Sequence, residues 1–252
     1  MRAVIARVAV VPHPPLLVPE VAAGAAVETA SLRAACLAAA GALAAAATTW
    51  VAVAAVDDAA VDDAAVDAAG VGAAGTFSGY GVDVTVGLGP QPGAASDDLP
   101  LPLLVAGWLR GRVGPRSITV RPATVPPGTA PADCVRAGRA LAERLAVGSE
   151  PVGLLVLGDG AATHTLRAPG YLDVRAEGFD AAVAAALGSA DLAVLLALDA
   201  QLAAELRVAG REAWQVGAAA AQAAATAWRG ELLHSAAPYG VAYHVAVWEP
   251  VR

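Results

Sequence analysis

Short β-branched runs alternate with longer alanine-rich stretches along this chain, and that alternation constrains the fold more than any other feature. It is the pattern of helices layered on a central sheet. The expectation is an α/β fold, a three-layer α/β/α sandwich whose central sheet is mostly parallel or mixed. The clearest strands fall at 3–11, 49–56, 81–87, 117–121, 152–157 and 239–248, and the clearest helices at 28–46, 101–110, 132–147, 178–187 and 212–228. Phe179, Val183 and Leu187 recur at i, i+4 and i+8, one apolar helical stripe, and Asp180 in the expected first turn suits the helix dipole. No Ser, Gly or charge run reads as a linker, so residues 1–252 are expected to form one domain.

With 57% hydrophobic and 15% charged residues the chain must fold rather than stay disordered. Much of the apolar count is alanine, and all 16 basic residues are arginine, as biased codon usage in a GC-rich genome would give. The uncharged stretch 34–56 is no membrane span: alanine is only mildly apolar, Gly41 interrupts it, and Thr48 and Thr49 divide a helix-like half from a strand-like half. The first residues, "MRAVIARVAVVPHPP", lack a signal-peptide pattern, so a cytoplasmic location is expected. Cys36 and Cys134 sit at helical spacings from leucines and read as core thiols.

The net charge is −7, and Asp57, Asp58, Asp62, Asp63 and Asp67 crowd one segment, so nucleic acid is an improbable partner. That segment repeats every five residues at Val56, Val61, Val66 and Val71, a period of neither helix nor strand. It reads as an acidic, solvated low-complexity loop with a short helix, without the glycine and glutamate of a calcium loop.

Four segments could carry chemistry. In "VVPHPPLLVPE", Pro14 holds His13 in extended backbone and the paired prolines stiffen the turn after the first strand. Sites in open α/β sheets form outside the carboxyl ends of strands, where His13 would lie. In "PVGLLVLGDGAATHTLRAPGYLD" an apolar strand enters a glycine loop that presents Asp159 and then His164, a proton-transfer group. The loop lacks the third glycine and the lysine of a phosphate fingerprint. In "VAGREAWQVGAAAA" Glu212 falls in the first turn of a helix, where a carboxylate complements the dipole and equally could ligate a metal. In "APYGVAYHVAVWEP" alternation puts His244, Ala246 and Trp248 on one face, the histidine half-buried beside tryptophan. His234 has no motif around it. A hydrolase built on Asp159 and His164 would lack an evident nucleophile.

Taken together, "VPHPPLLVPE", "LGDGAATH" and "GREAWQVGAAAA" resemble the superfamily of class III extradiol ring-cleavage dioxygenases over nearly the whole chain. The resemblance implies a non-haem Fe(II) held by two histidines and a carboxylate, with open positions for a catechol-type aromatic compound and O₂. It implies His13 as first iron ligand, Glu212 as the carboxylate, and His164 as the acid or base of ring opening. The second ligand histidine should follow the second strand, where this chain reads "WVAVAAVDDAAVDD". Two readings stand: Asp57 or Asp58 takes that ligand's place, or the metal is lost and the cleft holds a ligand or partner without iron chemistry. A homo-oligomer is the expected assembly.

Overall fold

The computed structural model describes residues 5–57, 72–114 and 117–251; Asp58 and nearly all of the five-residue repeat lie outside them. The strands are β1 (Ile5–Val11), β2 (Thr49–Ala55), β3 (Ala74–Thr76), β4 (Thr85–Gly87), β5 (Thr119–Val125), β6 (Val152–Leu157), β7 (Trp228–Ala236) and β8 (Tyr243–Pro250). The helices are α1 (Pro19–Ala22), α2 (Ala30–Ala46), α3 (Leu101–Val113), α4 (Pro131–Ala146), α5 (Arg175–Ser189), α6 (Leu192–Leu196), α7 (Ala200–Glu205) and α8 (Arg211–Ala223). Six strands form one mixed sheet in the order β5-β2-β6-β1-β8-β7. The first four are mutually parallel, β8 runs antiparallel to β1, and β7 antiparallel to β8.

Side-chain alternation divides the interior into two cores. Val8, Val10, Val51, Val53, Leu154 and Val156 point to the side covered by α4, α5, α6 and α8. Ala9, Val11, Trp50, Ala52, Ala54, Leu155 and Leu157 point to the side covered by α2 and α3. The central strands are therefore apolar at nearly every position, as strands buried on both faces must be. This is the expected α/β/α sandwich with a mixed sheet.

Several local expectations shift. The helix expected over 212–228 stops at Ala223, and Trp228–Ala236 forms the edge strand β7. The chain leaves α8 through Ala225 at φ 51°, so the left-handed residue after this helix is an alanine and no glycine marks the end. The strand expected over 81–87 shortens to Thr85–Gly87, paired with β3 in a separate two-stranded sheet. The last strand begins only at Tyr243, after a turn at Pro238–Gly240 in which Tyr239 takes φ 57°. Both cysteines are core thiols, and burial pushes the Cys134 thiol up to about 11.

Helices α4 and α8 approach each other closely at Gly138. A Cβ there would overlap the Val216 carbonyl oxygen and lie 2.6 Å from the Ala219 Cβ. Helix propensity alone favours alanine over glycine by about 1 kcal/mol. Backbone cannot move aside as a flexible side chain can, so packing decides the sign. Gly138→Ala is expected to lower stability by about 1–3 kcal/mol in urea unfolding; a gain would contradict this packing.

Candidate functional site

The direction of the strands determines what meets at one end of the sheet. His13 follows β1, Asp57 follows β2, Gly128 follows β5 and Asp159 follows β6, all at carboxyl ends of parallel strands. Because β8 is antiparallel to β1, its first residues, Tyr243 and His244, arrive at the same end, and the cross-strand pair Ser235↔His244 brings the end of β7 with them. The first two motifs are joined directly: the His13 backbone N–H donates to Asp159 Oδ1 at 2.8 Å, and the Gly158 N–H donates to the Val11 carbonyl at 3.0 Å. The His13 ring nitrogen Nδ1 lies 3.5 Å from the same Asp159 oxygen without hydrogen-bond geometry, a buried nitrogen lacking a partner among the described residues. Burial, with Asp159 adding to it, raises the pKa of both the Tyr243 phenol and the Cys36 thiol, so both stay neutral beside this carboxylate.

Beyond His13 opens a cleft of about 550 Å³ lined by alanines and by Gln201, Arg207, Arg211 and Glu212. His13 and Glu212, two members of the ligand set that the resemblance implies, thus share a wall. Glu212 is not in a solvated first turn: it is buried, and its Oε1 accepts from Arg211 Nη2 and from the Gly128 N–H, each at 2.7 Å. Arg211 also donates through Nη1 to the Thr129 carbonyl at 2.6 Å and to Gln215 at 3.0 Å. The first turn of α8 therefore clamps the loop after β5, where Gly128 takes φ 78°.

The fit to Fe(II) follows from this donor set. Glu212 already serves a buried guanidinium that a metal would have to displace, and Asp57 stands exposed in the turn after β2, outside the cleft lining. Among the described residues no group of three or more His, Cys, Asp or Glu side chains is arranged to hold a metal ion. His13, Asp57 and Glu212 as placed here do not fit a three-ligand iron site, and no chemical step is routed through one.

His164 lies apart from the lining of that cleft. It follows β6 on the glycine loop, and its Nε2 is 2.6 Å from Asp180 Oδ2. Asp180 Oδ1 is 3.0 Å from His244 Nε2, and His244 Nδ1 is 3.0 Å from the Ser235 hydroxyl. His244 is buried, with Trp214 rather than Trp248 as its ring neighbour, the centroids 6.2 Å apart. The glycines of "LGDG" serve close approach, not positive φ: a Cβ on Gly158 would overlap the Gly210 Cα, and one on Gly160 would overlap Asp180 Oδ1.

Asp180 is the member of this group that sequence reasoning misplaces. Helix α5 starts at Arg175, so Asp180 lies beyond the first turn and is buried. The signal is present: Asp180 stands four residues after Ala176 and three before Val183, inside the apolar stripe. A carboxylate on the core face of a helix needs buried donors.

Removing one half of the Arg211–Glu212 pair strands a buried charge. Glu212→Ala is expected to cost about 3–5 kcal/mol of stability, and the double change Arg211→Met with Glu212→Leu to recover most of it. Urea unfolding of both variants checks this; equal losses would show that the ion pair is not the source.

No family model matches the chain, and no curated protein matches it. Among solved structures it is similar to the crystal structure of the uncharacterized protein JW3007 from Escherichia coli K12, with 13% identity over 97% of this chain and 99% of that one. The TM-score is 0.50, and at this identity the likeness shows a shared fold.

Proposed function

We propose that this chain is a member of the class III extradiol dioxygenase superfamily that binds a small aromatic compound in the His13–Glu212 cleft without iron. The observation that carries this reading is the state of Glu212. The carboxylate expected to ligate metal is tied to Arg211 and Gly128, while the cleft beside it keeps the size of a small-molecule site. The wall offers an imidazole ring for stacking, alanine surface for the apolar edge, and Gln201 and Arg207 for oxygen substituents. Its position outside the carboxyl ends of parallel strands is where α/β sheets bind ligands. His164, backed by Asp180, is the group that would move a proton.

Fe(II)-dependent ring cleavage is the second reading, and the His164–Asp180 pair favours it, since a histidine held by a carboxylate is suited to acid–base work. No helix among the described residues is long and apolar enough to cross a membrane. A cytoplasmic location accords with two buried free thiols.

Chelator-treated protein is expected to melt at a higher temperature with a catechol-type compound present, by about 2.7 kcal/mol of added stability at a hundredfold excess over Kd. His13→Ala should abolish the shift. Ring cleavage by protein loaded anaerobically with Fe(II) and then given O₂ would replace this reading with the second. The absence of any shift across a panel of catechols and benzoates would remove the ligand itself.

A further inference from the structure

Asp180 spends both of its oxygens on histidines that come from different elements. Oδ2 faces His164 on the loop after β6, Oδ1 faces His244 on β8, and the Ala161 N–H adds contacts of 3.3 and 3.2 Å to Oδ1 and Oδ2. An ionised carboxylate only accepts, so each ring nitrogen turned toward it carries a proton. On the far side of His244, Nδ1 is then free to accept from the exposed Ser235 hydroxyl, which ends the chain of bonds at the surface.

We propose that Asp180 is a positioning residue that holds His164 in its Nε2–H tautomer and thereby makes Nδ1 the nitrogen that accepts a proton. His244 and Ser235 hold the second carboxylate oxygen and keep Asp180 from rotating away. Gly160 belongs to the same device, because any side chain there would strike Asp180 Oδ1 and push the loop carrying His164 off the carboxylate. Helix α5 anchors the group from below through Phe179, Val183 and Leu187, all buried. The geometry matches the general arrangement in which a buried carboxylate orients an imidazole and selects its tautomer. This inference deepens the role given to His164 above and rests on that reading.

The chain has four histidines, few enough for their ring nitrogens to be assigned individually by two-bond ¹⁵N–¹H correlation on ¹⁵N-histidine-labelled protein. At a pH of about 8, above the ordinary histidine range, both His164 and His244 are expected as Nε2–H tautomers. Asp180→Asn must turn an NH₂ group toward one of the two rings, and that ring is expected to reverse to Nδ1–H. A proton on Nδ1 of His164 in the wild-type protein, or two unchanged rings in a folded Asp180→Asn variant, would overturn the proposal. Should that variant not fold, the wild-type spectrum alone decides. Loss of aromatic-compound binding would defeat the proposed function and leave these spectra unchanged, so the two failures are distinguishable.

Discussion

A sheet covered by helices on both faces can carry polar chemistry only at its ends. Along β1, β2 and β6 nearly every side chain enters one of two apolar cores, and the ladder satisfies the backbone groups between them. Polar side chains are thus displaced to the loops where the strands stop. The antiparallel pair β8 and β7 adds to this displacement, because reversing direction delivers Tyr243, His244 and Ser235 to the end where β1 and β6 finish. A wholly parallel sheet would have sent the start of its last strand to the opposite end. The mixed topology is therefore what allows Asp180 to meet a histidine from a loop and another from a strand.

Two buried polar groups then fix the loops in place. Around Arg211 and Glu212, donors and acceptors from α8 hold the loop after β5, and Gln215 extends the network to the carbonyls of Leu196 and Leu198. Around Asp180, three donors converge from the loop after β6 and from β8. Each network is costly to break because its members are out of water, and the same burial makes each contact stronger than it would be at the surface. The chain thereby gains rigidity at the end of the sheet where a ligand would need an ordered wall.

The layered architecture is legible in the sequence because its cause is local: β-branched runs and alanine-rich segments differ in composition at each boundary. β6 shows this best, since "VGLLVL" is flanked by Pro151 and Gly158 and forms at 152–157 as expected. β7 is hidden because "AAAAQAAATAW" carries no glycine at its break, and Ala225 adopts the left-handed turn instead. His13 and Glu212 can be placed near one another by resemblance alone, and they do share a cleft. The engagement of Glu212 has no local signal, because its partner Gly128 is 84 residues away and donates through backbone. Asp180 looks like a dipole complement only when the helix start is set at 178, three residues late, and that small offset moves a core carboxylate to the surface.

The cleft and His164 are coupled through the loop that follows β6. Gly158 approaches Gly210 so closely that neither can carry a side chain, and Gly210 immediately precedes Arg211 and Glu212. One residue on, Asp159 fixes the backbone of His13, and Gly160 lies against Asp180. Three consecutive residues therefore touch the start of α8, the turn after β1 and the carboxylate behind His164. With glycine on both sides of Asp159, no flexible side chain at 158 or 160 can absorb a shift, so a displacement of α8 at the cleft has to reach the loop as backbone motion. Occupancy of the cleft and orientation of the His164 ring are mechanically linked, although no hydrogen bond joins the cleft lining directly to His164 among the described residues.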